Sequence, residues 1–204
     1  VIYIPNTIIV SFVIFLGYIL GSIPFGILVS RIFKVDITKV GSGNIGATNV
    51  LRSIGVIPAL IVFGLDLLKG YLAVYLAIIV LGDPLLIVST GIAAILGHMF
   101  SIFLKFKGGR GAATGLGVLL GLAPYVFLFA VILAAIIIGF TRYVSLASIT
   151  VPLCCSALML YMGKPMPYIA ATTIAAILII IKHVPNIQRL LSGTERKIGE
   201  KDIR

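Results

Sequence analysis

The sequence predicts an all-α, polytopic membrane helix bundle: seven transmembrane helices in a single integral membrane domain over residues 1–204, with the N-terminus outside and the C-terminus cytoplasmic. Three observations predict it. The chain is 60% hydrophobic and 11% charged with a mean hydropathy of +1.23, a balance foreign to a soluble domain of 204 residues. Apolar stretches of about 18 residues or more recur along its length, which is what a helix needs to cross a bilayer. These stretches lack the alternation of a membrane barrel, and the bilayer core admits no other spanning element.

The first span is expected at about 7–30. The residues ahead of it, Val1-Ile-Tyr-Ile-Pro, have no basic n-region, so the run reads as a true span and not as a cleaved signal peptide. The only long loop follows, residues 31–55, and then spans at about 56–81 and 85–104. The next apolar block, 111–141, is interrupted by Gly121-Leu-Ala-Pro-Tyr. Proline removes a backbone donor and disfavours helix in the residue before it, so a break near Ala123 divides this block into 111–123 and 124–141. Spans at about 143–163 and 165–182 complete the set. The fourth is short: residues 112–122 rise only about 16 Å at ~1.5 Å per residue, against a hydrocarbon core of ~30 Å. It is expected to be a partial span sheltered by its neighbours, with Gly115, Gly117 and Gly121 allowing close packing.

Charge sets the parity. With seven spans, Arg31, Lys34, Lys39, Arg52, Lys105, Lys107, Arg110, Arg142, Lys182, Arg189 and the basic tail all fall on the cytoplasmic side, leaving Lys164 outside and Lys69 within a span. With six spans this asymmetry disappears, so the positive-inside rule favours seven. Orientation accounts for part of the net charge of +10, and the rest points to anionic ligands or lipid headgroups. Dispersal of that charge over short loops argues against nucleic acid. Cys154 and Cys155 are adjacent in an apolar run, with no framework disulfide or metal set available, and are expected to pack.

Three short segments carry the chemistry. Glycine and small hydroxyl residues let backbone amides converge on an anion, and nearby Lys and Arg supply charge. Motif one, Gly41-Ser-Gly-Asn-Ile-Gly-Ala-Thr-Asn, offers Gly41, Ser42, Gly43, Thr48 and Asn44 or Asn49, ahead of Arg52 at the start of the next helix. The alternative is a Gly-rich connector, but this many small polar or Gly residues ahead of an Arg are hard to dismiss as one. Motif two sets Lys105, Lys107 and Arg110 around Gly108, Gly109 and Gly111 before an apolar helix, an anion site at a helix N-terminus or an ordinary basic anchor. It is not a nucleotide P-loop, because no G-x-x-x-x-G-K-[ST] occurs. Motif three places His183, Asn186 and Arg189 at i, i+3 and i+6, near one helix face, with Pro185 marking an end or kink and Glu195 following. Asp66 and Lys69, three apart within a span, read as a structural ion pair. His98 either faces the site or bonds a backbone carbonyl. Arg142, opening a segment that includes Ser145 and Ser148, either anchors its loop or meets a phosphate.

The six acidic residues are dispersed, which leaves no carboxylate cluster for Mg²⁺, and no metal or cofactor is expected. Neither histidine opens an H-x-x-x-x-D acyltransferase pattern, since Phe103 and Gln188 stand at the acidic position. No Ser-His-Asp arrangement is evident either. An enzyme of this kind would work by positioning and electrostatics. The rival class is a transporter of phosphorylated organic anions, which should carry polarity deep in several spans, whereas Asp66 and Lys69 alone qualify.

The three motifs, their order and the seven-span count resemble the bacterial acyl-phosphate:glycerol-3-phosphate acyltransferases, integral membrane enzymes of phospholipid biosynthesis. The resemblance runs through Gly21-Ser-Ile-Pro-Phe-Gly, Asp66-Leu-Leu-Lys-Gly, Gly97-His-Met-Phe and Arg142-Tyr-Val-Ser-Leu-Ala-Ser, nearly the whole chain. It implies a multi-pass protein of the bacterial cytoplasmic (inner) membrane with a cytoplasmic active site. Its substrates would be acyl phosphate and glycerol 3-phosphate, its products lysophosphatidic acid and inorganic phosphate, and its surroundings membrane lipids. A monomer is compatible with this and the oligomeric state stays open. The resemblance further implies essential roles for Ser42 and Arg52, glycerol 3-phosphate binding at Gly108, Gly109 and Gly111, matches at His183 and Asn186, and an integrity role for Glu195. Arg110 stands where lysine is frequent in the family, and the two cations are not interchangeable at a phosphate. The tail over 197–204 runs beyond the usual stop. On this basis Lys107, Arg52 and Ser42 are expected to hold the acyl phosphate, the motif-two amides glycerol 3-phosphate, and a groove between spans the acyl chain. The substrate's own phosphate oxygen would take the hydroxyl proton. His183 would position Asn186 or a phosphate, with a general-base role also open.

Overall fold

A computed structural model describes residues 6–200; residues 1–5, on which the leader reading rests, and 201–204 of the tail lie outside it. Among the described residues there are ten α-helices and no strand. They are α1 (Thr7–Ser22), α2 (Phe25–Ile32), α3 (Ala47–Ser53), α4 (Val56–Val80), α5 (Pro84–Met99), α6 (Ala112–Leu122), α7 (Pro124–Thr141), α8 (Val144–Tyr161), α9 (Met166–Lys182) and α10 (Val184–Leu191).

Local chemistry marks the boundaries. Asn6 caps α1 by accepting the Ile8 N–H at 2.9 Å, and Asp83 caps α5 through the amides of Leu85 and Leu86, with Pro84 at the first position. Ile23 and Pro24 interrupt the first apolar run, yet α1 and α2 together make one candidate span, Thr7–Ile32. The break at Ala123 falls where Pro124 predicts it. The chain bends by 61° between α9 and α10, at the turn that Pro185 marks.

Apolar helical stretches cover 7–32, 56–80, 84–104, 112–122, 124–141, 144–161 and 166–182. Five of them are long and apolar enough to cross a membrane, or six if the bent α9–α10 pair counts as one span, and α6 with 11 residues is not. Instead α6 sits among α4, α5, α7 and α9. Its closeness to α4 depends on missing side chains: a Cβ on Gly117 would run into the Leu67 carbonyl, and one on Gly70 into that of Thr114. Gly21 and Gly97 do the same for α1 against α5. Large apolar residues such as Phe12, Phe15, Ile57, Leu128 and Phe140 point outward, the inverse of a water-soluble surface.

One correction concerns the long loop over 31–55. It contains a helix of its own, α3, whose Val50 packs with Val29, Ile37, Ile45 and Val62. Arg52 therefore lies in the last turn of α3 and not at the start of α4.

All three motifs gather at one end of the bundle. Arg52 bonds the Arg196 carbonyl, Arg142 that of Ile198, and Lys182 that of Met99. The turns at 81–83 and 162–165 lie at the other end. Single cysteines at Lys39, Lys107 or Ser192, all exposed, should react with an impermeant thiol reagent from the same membrane face once Cys154 and Cys155 are removed. Lys164→Cys should react only from the opposite face, and labelling of positions 107 and 192 from different sides would refute the arrangement.

Candidate active site

The motifs surround the mouth of a cavity of about 420 Å³ that continues between α6, α7, α8 and α9. Motif one is held by Asn49, whose side chain is 1% exposed. Its Oδ1 accepts the Ser42 N–H at 2.9 Å, and its Nδ2 donates to the carbonyls of Ile37, Val40 and Asn44 at 3.1, 3.1 and 2.8 Å. Gly41 and Gly43 take φ of +59° and +68°, a region that side chains avoid, and a Cβ on Gly41 would also strike Asn49 Oδ1. The two glycines therefore shape the turn, while Ser42, Asn44, Thr48 and Arg52 reach the cavity. Of the two asparagines left open by sequence, Asn49 is spent on backbone and Asn44 faces the space.

Motif two is fastened to the end of α5. The Gly109 N–H donates to the His98 carbonyl at 3.0 Å. A Cβ on Gly108 would strike that carbonyl, and one on Gly109 would strike the imidazole Nε2 of His98. Gly111, at φ +82°, then turns the chain into α6. Arg110 and Gly111 line the cavity, whereas Lys105, Lys107, Gly108 and Gly109 do not, and both lysines are exposed. Burial, together with the cationic Arg189 and Arg52, lowers the pKa of the Arg110 guanidinium, with Glu195 opposing.

His98 lines the cavity. Its Nδ1 lies 3.5 Å from Asp66 Oδ1, and Asp66 pairs with Lys69 at 2.7 Å. Lys69 also donates to the Ile23 carbonyl at 2.9 Å and stands over the Phe25 ring. All three are buried, and Asp66 and His98 line the cavity. The i, i+3 spacing of Asp66 and Lys69 was visible in sequence; no sequence spacing joins His98 to them.

His183 follows the last residue of α9. Its Nδ1 lies 2.8 Å from the Ile179 carbonyl, which can only accept, so Nδ1 carries the proton and Nε2 of the neutral ring is an acceptor. Burial pushes its pKa down to about 4. Asn186 Nδ2 and Arg189 Nε donate to the two oxygens of Glu195, each at 2.7 Å. Burial would raise the Glu195 carboxyl, but the bonds led by Asn186 outweigh it and hold the group below its ordinary value. Asn186 Oδ1 is buried with no protein hydrogen-bond partner, a state that costs about 1–3 kcal/mol unless a ligand supplies a donor.

Glu195, expected as structural, thus also lines the cavity, as does Ser145. Arg142 does not: its Nε and Nη2 hold the Ile198 carbonyl at 3.1 and 2.5 Å, and its own carbonyl accepts the Ile198 N–H at 2.8 Å. It anchors the tail. Among the described residues no three His, Cys, Asp or Glu side chains converge as a metal-ligand set.

A family model described as glycerol-3-phosphate acyltransferase matches residues 11–193. The chain is 47% identical to glycerol-3-phosphate acyltransferase 2 of Moorella thermoacetica, covering 91% of this chain and 95% of the relative. It is 45% identical to a glycerol-3-phosphate acyltransferase of Thermus thermophilus, covering 91% and 94%. Two crystal structures of PlsY, an integral membrane glycerol 3-phosphate acyltransferase, share its architecture. The glycerol 3-phosphate form has a TM-score of 0.90 at 41% identity over 93% of this chain and 96% of that one. The lysophosphatidic acid form has a TM-score of 0.88 at 40% identity over 93% and 95%.

Two outcomes follow from the site's packing. Gly109→Ala should destabilise the detergent-solubilised protein by about 1–3 kcal/mol through overpacking. His98→Ala vacates the space that the new methyl needs, so the double variant should be at least about 1 kcal/mol more stable than additivity predicts, and additivity would contradict the contact. The second outcome concerns pH. His183 binds fewer protons folded, with a pKa of about 4, than unfolded, at 6.5, so its contribution is complete above pH 6.5 and is lost as pH falls toward 4. Glu195 acts in the same direction at lower pH, its contribution being lost as pH falls through its depressed pKa. Thermal unfolding at graded pH should show the loss, and His183→Gln should flatten the slope between 6.5 and 4.

Proposed function

The chain belongs to the glycerol-3-phosphate acyltransferase family, and from that premise we propose that it moves a fatty acyl group from acyl phosphate to the 1-hydroxyl of glycerol 3-phosphate. The products are lysophosphatidic acid and inorganic phosphate. The observation that carries this reading is one cavity with two unlike parts. Arg52, Arg110, His183 and the unpartnered Asn186 Oδ1 surround its mouth, while its interior is built from apolar side chains. A dianionic headgroup suits the first part and an acyl chain the second.

Arg52 and Arg110 hold the acyl phosphate and stabilise charge developing at its carbonyl oxygen. Arg110 takes the role that sequence alone assigned to Lys107, because Arg110 is half-buried in the cavity wall and Lys107 is exposed outside it. Glycerol 3-phosphate lies against the turn at Gly111 and motif one, where Ser42 and Asn186 Oδ1 bond its hydroxyls. The neutral His183, with Nε2 as acceptor, orients the attacking hydroxyl. The hydroxyl oxygen bonds the acyl carbon, the carbon–oxygen bond to phosphate breaks, and the departing phosphate takes the proton. No side chain need ionise, so positioning and preorganised charge supply the acceleration.

The enzyme works as one integral membrane unit of the bacterial inner membrane. Seven helices are embedded with the N-terminus outside, α6 being a partial crossing, and the site faces the cytoplasm. Family membership displaces the transporter alternative, and among the described residues the ion pair within the helices is Asp66 with Lys69, beside His98.

Purified protein given hexadecanoyl phosphate and glycerol 3-phosphate should release phosphate and form lysophosphatidic acid. No release with both present would refute the reading. Arg110→Ala should lower kcat/KM by about 100-fold or more. His183→Ala should act largely through KM for glycerol 3-phosphate, and loss of many decades in kcat with KM intact would make His183 the base.

A further inference from the structure

The apolar part of the cavity has a definite floor. Along α8 the cavity is lined by Ser145 at the mouth and then, inward along one face of the helix, by Ser148, Val151, Pro152 and Cys155. On antiparallel α9 the order runs Ile179, Ala175, Thr172, so Cys155 and Thr172 both stand at the inner end. One turn beyond Cys155, Met159 is fully buried and packs with Cys155, Ala123 and Val126, which closes the arm.

The wall is apolar even where its residues are not. The Ser148 hydroxyl donates back to the Val144 carbonyl at 3.0 Å. The Thr172 hydroxyl turns to the carbonyls of Tyr168 and Ile169 at 3.0 and 2.9 Å. A buried thiol adds little polarity. The depth is also informative. Ser145 to Cys155 is about 15 Å of helix at ~1.5 Å per residue, roughly half of the ~30 Å hydrocarbon core and so about one leaflet.

We propose that this arm is a chain-length gauge, with Cys155 and Thr172 as the floor that meets the terminal methyl of the acyl donor. The inference rests on the acyltransferase reading. A tail about as long as one leaflet is deep fills the arm; a shorter one leaves the floor uncovered, and a longer one must fold or leave the arm sideways. Bulk added at the floor shortens the preferred donor without touching the mouth, where the chemistry takes place.

The test compares wild type, Cys155→Phe, Thr172→Leu and Cys154→Phe. Cys154 is the control, being only half-buried and outside the cavity lining. Two readouts are taken: kcat/KM with dodecanoyl and hexadecanoyl phosphate, and thermal stabilisation by lysophosphatidic acids of the same two chain lengths. Cys155→Phe and Thr172→Leu should each shift the ratio of kcat/KM toward dodecanoyl by about tenfold or more. Stabilisation by the longer lysolipid should fall relative to the shorter, and Cys154→Phe should keep both wild-type ratios. Unchanged ratios in the floor variants, or an equal shift in Cys154→Phe, overturn the gauge. If Cys155→Phe fails to fold, Thr172→Leu answers the same question. If wild type releases no phosphate from either donor, the acyltransferase reading fails, and the lysolipid stabilisation still decides the gauge in either direction.

Discussion

The contact between the Gly109 amide and the His98 carbonyl, with the imidazole lying against the glycine, is the joint on which the polar mouth depends. It ties the glycine turn to the end of α5, and Asp66 and Lys69 behind the imidazole tie both to α4. A charge within a bilayer is tolerated only when paired, so Lys69 and Asp66 hold each other, and a lipid-embedded helix acquires a fixed polar support. From that support the chain turns at Gly111 into α6, and Arg110 is carried to the cavity wall. Any side chain at position 109 would push the turn off the histidine.

A second polar joint works from the opposite direction. Asn186 and Arg189 project from one face of α10 and share the two oxygens of Glu195, which comes from the segment beyond the family match at residue 193. Arg52 and Arg142 bind carbonyls of that same segment. The stretch of chain after α10 is thus sewn to motif one, to the α7–α8 link and to motif three. This explains how an amphipathic helix of eight residues at the end of the last span keeps a fixed orientation over the cavity.

The division between mouth and arm follows from solvent. Around the mouth, polar groups are left for a ligand to complete, as Asn186 Oδ1 is. Inside the arm no such compensation exists, and each hydroxyl there turns back onto its own helix. Neighbouring residues of one helix therefore serve different ends: Ser145 belongs to the mouth, and Ser148, one turn deeper, to the wall.

Much of this was legible in the chain alone. Apolar run length placed the apolar helices, Pro124 their break and Gly117 the tight packing of α6, because the bilayer leaves backbone few options, whereas α3 inside the long loop was not legible. The three segments that meet at the mouth of the cavity were likewise readable as segments, since glycine beside Arg or His marks turns that can present amides and charge. What tertiary structure alone decided was which members of each segment reach the cavity. Arg110 reaches it while Lys107 remains exposed, Asn44 faces the space while Asn49 is consumed by four backbone bonds, and Arg142 turns to the tail. The choice depends on turns with positive φ at Gly41, Gly43 and Gly111 and on contacts between residues as distant as Asp66 and His98. Local sequence determines which residues can turn, but the direction in which a side chain then points is set by the helix it meets.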